Sequence, residues 1–278
     1  MQTRLFTYNR VDTFVHRLSG FTKLLCFLIL TSAVMYTYDI RVILGILVFS
    51  FTILGISRIQ YRDIKLMLIY VFVFLAVNFV LTFFFSPEEG VKIYGTRHVI
   101  LYLFGRYNVT SEQLLYQTTK FMKYFSVIPL GMVFLFTTNP SEFASSLNRA
   151  HVNYKVAYAV SLTLRYFPDV ARAFTNISLS QQARGVDLSY KAKLSERFKN
   201  ASLLLIPLIF SSLERIESVS NAMDLRGFGK YKTRTWYTSK EMDKEDYIAI
   251  AVSLLILLLT IFVSVYIDKG RFYNPFIK

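Results

Sequence analysis

Five apolar runs alternate with polar, mostly basic connections along the chain: residues 21–38, 42–57, 66–85, 121–138 and 247–267. A helix that crosses a bilayer needs about 20 mainly apolar residues, and each run comes close. The second is short and calls for local thinning of the bilayer or packing against neighbours. The third and fifth are the clearest. The fourth helix is predicted to begin before its apolar core, because Thr110-x-x-Gln113 has the spacing of a capping box. It then runs from about Ser111 to Thr138, where Asn139-Pro140 stops it. Asn139 is placed to cap a following helix with Pro140 at its first position.

The interval 139–244 is too long for a simple loop and carries the helical period instead. From 154 to 184, Val156, Val160, Leu164, Phe167, Phe174 and Ile177 recur at helical spacing. Arg165, Asp169, Arg172 and Asn176 form a separate polar stripe. A second helix is predicted from about 194 to 226, with Leu213, Ile216, Val219 and Met223 on one side. Glu214, Glu217, Asn221 and Asp224 fall on the other. The run 203–210 is strongly apolar but too short to span, and Pro207 interrupts it. It is read as a buried part of the helix with a bend at the proline, and Pro168 has the same place in the first helix. Ala201, Ser202, Ser211, Ser212, Ser218 and Ser220 are small and predict a close helix crossing. Taken without further motifs, these helices also fit amphipathic segments lying in the headgroup region.

The expected fold class is therefore an all-α integral membrane protein. It has about five transmembrane helices, with long amphipathic cytoplasmic helices between the fourth and fifth. The expected divisions are 1–138, 139–244 and 245–278. Composition agrees: 54% of the 278 residues are hydrophobic, 18% are charged, and mean hydropathy is +0.40. The first apolar run lies behind Arg4, Arg10 and Arg17 and reads as a retained span rather than a removed signal peptide.

Basic residues assign the sides. Arg4, Arg10, Arg17 and Lys23 precede or open the first run, Arg58, Arg62 and Lys65 follow the second, and a long basic stretch occupies 149–244. The positive-inside rule makes these three regions cytoplasmic. The N-terminus is then inside and the C-terminus outside, against the dissent of Lys269, Arg271 and Lys278. The loops around Asp39 and over 87–117 face outward. The same rule accounts for the net charge of +14. Nucleic acid is not an expected partner, since the aromatic residues sit in apolar runs rather than among the basic ones.

Little else resembles a chemical site. Cys26 is the single cysteine, so neither an internal disulfide nor a cysteine metal site is expected. His16, His98 and His151 are far apart. There is no His-Glu metal motif, no paired aspartates at helical spacing, and no phosphate loop; Gly227-Phe228-Gly229 is too short to be one. Any ATP-driven role needs another subunit. An autonomous secondary transporter is the alternative reading, but such proteins place ionisable residues within their spans. These runs have almost none at their centres. Asn78 is the main polar exception and reads as an interhelical hydrogen-bonding residue.

Two helix-ending segments carry the strongest signal: Ser180-Gln181-Gln182-Ala183-Arg184-Gly185 and Asn221-Ala222-Met223-Asp224-Leu225-Arg226-Gly227-Phe228-Gly229. Gly185 and Gly227 follow the last helical residue, where glycine accepts a left-handed backbone. Arg184 and Arg226 then sit beside a helix carboxyl end, which favours a cation. Asp187 and Asp224 are near enough to pair with them. The arginines are 42 residues apart, each closing one helix of a tandem pair. Arginine offers a planar five-donor fork to a partner's carboxylates and carbonyls, and two similar tips suggest two similar grooves.

With these motifs, with Thr137-Thr138-Asn139-Pro140-Ser141-Glu142-Phe143 and with Leu162-Thr163-Leu164-Arg165-Tyr166-Phe167-Pro168, the chain resembles the transmembrane T component of energy-coupling factor (ECF) transporters. The resemblance covers nearly the whole chain. It departs at Leu225, where the family's Ala-Arg-Gly motif often has alanine. It implies a non-enzymatic subunit that joins two cytoplasmic ATPases, or an ATPase homodimer, to a small membrane-embedded S component. No cofactor is expected in this chain; ATP and magnesium belong to the ATPases. Residues 139–244 become the coupling region. Ala183, Arg184 and Gly185 dock on one ATPase and Leu225, Arg226 and Gly227 on the other, with Pro168 and Pro207 as bends in the coupling helices. The resemblance further implies a multi-pass protein of a prokaryotic cell membrane that serves uptake of a vitamin or metal ion.

Overall fold

The computed structural model describes residues 13–102, 107–186, 194–231, 233–237, 240–268, 270 and 272–276. Helices dominate. In chain order they are α1 (Phe14–Arg17), α2 (Gly20–Tyr36), α3 (Ile40–Ile56), α4 (Tyr61–Phe85) and α5 (Glu89–Tyr94). A small antiparallel pair follows, β1 (Val99–Leu101) and β2 (Val109–Thr110). Then come α6 (Ser111–Thr137), α7 (Pro140–Arg149), α8 (Tyr154–Ala183), α9 (Leu194–Leu225) and α10 (Lys244–Phe262), the last extended by a wider π-helical turn at Val263–Ile267. The chain divides into two units, Met1–Asn139 with Lys240–Lys278, and Pro140–Ser239.

The first unit holds the apolar helices. Ile64–Phe85, Ser111–Thr137 and Lys244–Ile267 are each long and apolar enough to cross a membrane, while α2 and α3 are apolar helices of 17 residues. All five predicted runs are thus helical, and the protein is an all-α membrane protein. Helix α6 organises the unit by packing against α2, α3, α4 and α5, and α10 packs on α2. One core joins Ala33, Val34 and Ile46 to Val127 and Ile256. Another joins Leu54, Ile64 and Met132 to Ile128 and Phe136.

Helix α6 starts where the capping spacing places it. Thr110 Oγ1 accepts from the Gln113 backbone N–H at 3.2 Å. The reciprocal half of the box is not made. Gln113 instead accepts the Gly90 N–H at 2.7 Å and donates to the Ser86 carbonyl at 2.9 Å. The cause is the close approach of α5: a Cβ on Gly90 would lie 2.5 Å from the Glu112 carbonyl oxygen. That approach puts two orphan backbone groups within reach of the Gln113 side chain.

The expectation concerns the centres of the apolar runs, and the start of the fourth run buries a charge, Lys123. It lies inside the fourth run and is 2% exposed. Its ammonium donates to the Met35 carbonyl at 2.8 Å, near the end of α2, and lies 3.4 Å from the Tyr38 ring centroid. Lys23, 5% exposed, does the converse: from the start of α2 it donates to Thr137 O, at the end of α6, at 2.7 Å. The helices are antiparallel, so each lends a cation to the other's carboxyl end, where unpaired carbonyls and the helix dipole stabilise it. Asn78 departs from expectation. Among the described residues its side chain makes no interhelical hydrogen bond.

The C-terminal segment returns over the α2–α3 connection. Phe272 stacks on Tyr38 at 4.5 Å, Asn274 donates to the Tyr94 carbonyl at 3.0 Å, and Phe276 stacks on His98 at 5.4 Å. Arg41 holds two buried carboxylates at once, Asp39 at 2.8 Å and Asp268 at 3.0 Å. Burial opposes charge on Asp39, yet the hydrogen bonds from Arg41 hold its pKa below the usual value. Asp268 takes the opposite course. Burial and then the neighbouring Asp39 charge push it up to about 6. A carboxyl that binds its proton more tightly folded than unfolded favours folding when protonated, and that contribution is lost as pH rises from about 4 through 6. Asp268→Asn mimics the protonated form. The variant should therefore melt above the parent by a smaller margin at pH ~5 than at pH ~8. An equal difference at both pH values would contradict this charge assignment.

In the second unit, α7 begins at Pro140 as its sequence predicts. Helices α8 and α9 run antiparallel: Gln181 meets Leu203 near one end, and Arg215 donates to Asp169 at 3.2 Å further along. The predicted faces need correction. On α9, Leu204 is buried while Leu208, Val219 and Met223 are half-buried, but Leu213 is 53% exposed and Ile216 62%. Within 203–210 only Leu204 is buried; Leu205, Ile206, Ile209 and Phe210 stand exposed. Ala201, Ser202, Ser211, Ser218 and Ser220 are exposed as well, so they do not form the close crossing. Two helices that pair along one narrow stripe leave the rest of a broad apolar face uncovered. Leu164, Phe167 and Phe174 of α8 share that exposure.

Candidate functional site: two arginine-bearing helix ends

The two Arg-Gly segments close their helices in the same way. At the end of α8, Gly185 has φ +86°, its N–H bonds Gln182 O at 3.0 Å, and the Val186 N–H bonds Gln181 O at 3.1 Å. At the end of α9, Gly227 has φ +65°, its N–H bonds Asp224 O at 2.9 Å, and the Phe228 N–H bonds Met223 O at 2.9 Å. Both are complete Schellman caps, with arginine as the last half-helical residue and glycine in the left-handed position. A Cβ at either glycine would meet nothing within 4 Å. The glycines are thus required by their backbone angle, and the space above them is open to another molecule.

Ala183, Arg184, Gly185, Leu225 and Arg226 are all exposed, Leu225 at 90%. Gly227 is half-buried. Among the described residues neither arginine forms an ion pair. Asp224 does not pair with Arg226, and Asp187 lies outside the described residues. A guanidinium left in solvent at a helix carboxyl end is free to be recognised.

The tips differ in their support. Phe228, one residue past Gly227, lies 4.7 Å from the Tyr158 ring and 5.7 Å from the Tyr154 ring, at the start of α8. Arg234 donates to the Arg226 carbonyl at 3.1 Å and lies 5.5 Å from the Phe228 ring. Trp236 Nε1 donates to Asn148 Oδ1 at 3.0 Å and so ties the segment to α7. Neither hydropathy nor spacing marks Phe228, Arg234 or Trp236 as a brace. The partners of Phe228 and Trp236 are about 70–90 residues away in sequence, and only the antiparallel return of α9 brings them together. The one local signal was Trp236, the single tryptophan, set in a polar segment.

This packing separates the tips. Arg226 sits beside the start of α8 and Arg184 at its end. A stretch of helix from Tyr158 to Arg184 is about 39 Å long.

Pro168 and Pro207 lie inside uninterrupted helices. Proline lacks an N–H, so Pro207 leaves the Leu203 carbonyl without its helical donor. Gln181 Nε2 approaches that carbonyl at 3.4 Å. Pro207 in α9 is thus linked, through the Leu203 carbonyl, by a side chain to the last turn of α8, one helical turn from Arg184.

Comparison with known proteins follows the same segments. The profile of CbiQ, cobalt transport protein, matches residues 12–237. A curated relative from Exiguobacterium sibiricum, named energy-coupling factor transporter transmembrane protein EcfT, is 26% identical over 232 residues, covering 80% of this chain and 84% of the relative. A protein of the same name from Streptococcus equi subsp. equi is 27% identical over 270 residues, covering 90% and 91%. Another from Thermotoga maritima is 24% identical over 268 residues, covering 94% of each chain. The profile spans most of the chain, so the protein belongs to the CbiQ cobalt transport protein family.

Proposed function

We propose that this member of the CbiQ family is the transmembrane coupling subunit of an ECF-type importer. It is non-catalytic. Arg184 and its neighbours Ala183 and Gly185 dock on one cytoplasmic ATPase, and Leu225, Arg226 and Gly227 dock on a second ATPase or the second copy of a homodimer. ATP and magnesium are bound by those subunits. The observation that carries this reading is the matched pair of caps. Two arginines on caps of the same hydrogen-bond pattern, with no ion-pair partner among the described residues, lie towards opposite ends of α8, whose stretch from Tyr158 to Arg184 is about 39 Å long.

The uncovered apolar residues of α8 and α9 supply the other half of the reading. Leu205, Ile206, Ile209, Phe210, Leu213 and Ile216 form a contiguous exposed stripe on α9. A patch of that kind marks an interaction surface. In this reading it carries a small membrane-embedded S component that selects a vitamin or metal ion. ATP binding draws the two docking sites together, α8 and α9 shift, and the S component is reoriented. The prolines permit the bending this needs, and the Gln181–Leu203 contact transmits it from one tip to the middle of α9. The chain spans a prokaryotic cell membrane with its N-terminus and coupling region cytoplasmic and its C-terminus outside.

Affinity purification of the full chain from native membranes tests the assignment. The expected result is co-purification of nucleotide-hydrolysing subunits and a small membrane protein, with ATPase activity absent from the isolated chain. A chain that transports substrate by itself in proteoliposomes, with no ATPase recovered, would contradict it.

A further inference from the structure

Where α4 ends and α6 begins, the two helices leave a cleft. Its wider part, about 350 Å³, is lined by Leu81, Thr82, Phe85, Glu89, Tyr116 and Lys120. A narrow continuation reaches Asn78 and Gln117 and shares Thr82 and Lys120 with the wider part. Gln117 is 2% exposed, and neither its amide oxygen nor its amide nitrogen has a hydrogen-bond partner among the described residues. Buried side-chain amides are ordinarily satisfied by protein, water or a bound molecule. Here the amide lines the narrow part of the cleft.

The second observation is electrostatic. Lys120 is half-buried and donates to Thr82 Oγ1 at 3.2 Å, and Thr82 Oγ1 donates to the Asn78 carbonyl at 2.8 Å. An ammonium has three donors, so this hydroxyl contact leaves capacity for an anion. Glu89, the carboxylate on the lining, faces Lys92 at 3.7 Å. That pair is neutral, and the cleft keeps the positive charge of Lys120. Lys120 lies about 14 Å along α6 from its start, a depth from which a lysine side chain extends to the headgroup level. The adjoining face of α4 is apolar and open, with Leu81 at 47% and Phe85 at 83% exposure.

We propose that this cleft is a binding site for one anionic phospholipid. The phosphate pairs with Lys120 Nζ, an acyl chain runs beside Leu81 and Phe85, and a single water in the narrow part bridges the glycerol oxygens to the Gln117 amide. The cation selects an anionic lipid over a neutral one, and the apolar flank selects a lipid over free phosphate.

Native mass spectrometry of the full-length protein with phosphatidylglycerol or phosphatidylcholine of the same acyl chains tests this. One phosphatidylglycerol should be retained in preference to phosphatidylcholine. Loss of a charge-assisted contact in Lys120→Ala or Lys120→Met should lower that retention about ten-fold. Gln117→Leu should lower it less, and Lys92→Ala, which leaves the Glu89 carboxylate on the lining without its neutralising partner, should lower it as well. Unchanged melting of Lys120→Met relative to the parent would show that the loss is one of binding. Equal retention of the two lipids, or preference that survives both Lys120 variants, would overturn the site. Displacement of the lipid by millimolar inorganic phosphate would overturn it too, by assigning Lys120 to the free anion.

Discussion

Removal of both tip arginines, Arg184→Ala with Arg226→Ala, should abolish recovery of the ATPases with this chain and stop uptake while the helices stay folded. Both side chains are exposed, and among the described residues neither makes an ion pair. Exposed substitutions of that kind change stability by no more than about 0.5 kcal/mol. In a partner's groove the same arginine is desolvated and hydrogen-bonded. Truncating a charged group so placed costs about 2–5 kcal/mol of binding. Each single substitution should then weaken ATPase association at least ~30-fold, and the double should remove it. Quantitative co-purification, with melting as the control for folding, reads both. A double variant that retains both the ATPases and uptake would refute the docking role.

The second large effect separates geometry from charge. Gly185→Val with Gly227→Val leaves both arginines in place but asks a β-branched residue to adopt φ values of +86° and +65°. Left-handed backbone costs an ordinary residue about 1–2 kcal/mol, more when it is β-branched. The strain is relieved by opening the caps, which breaks the Val186–Gln181 and Phe228–Met223 hydrogen bonds and lets the arginines swing. ATPase co-purification should fall about ten-fold or more although the net charge is unchanged. The Gly185→Asn, Gly227→Asn pair should recover much of it, because asparagine tolerates the left-handed region. Equal binding by the valine and glycine forms would mean that charge alone is recognised.

What could be read from the sequence was the part written in local rules. The five apolar runs, the start of α6 at Ser111, the start of α7 at Pro140 and the spans of α8 and α9 follow from hydropathy, capping and period over neighbouring residues. The glycine caps belong with them, because a left-handed closing residue is specified within one helical turn. Features made by distant segments were not legible. Lys123 looks like a stray charge until α2 is laid antiparallel beside α6 and presents the Met35 carbonyl to it. Asp268 acquires its raised pKa only because folding buries it and sets it beside Asp39, which is distant in sequence. Phe228 becomes a brace only when α9 returns to the start of α8. The uncovered stripe on α9 misled in another way. Hydropathy marks residues that avoid water, and it does not say whether they do so within this chain or against a partner.

Cys26 is the single cysteine, which allows a direct test of the docking claim. In a Cys26→Ala background, a cysteine placed at 183 or at 225, each exposed beside its arginine, can be joined by a short thiol-to-amine cross-linker to whatever lies against the tip in assembled membranes. The account predicts a covalent adduct with an ATPase subunit from each position, and both subunits captured when the two cysteines are combined. Adducts that contain no ATPase from either position, while uptake remains intact, would contradict it.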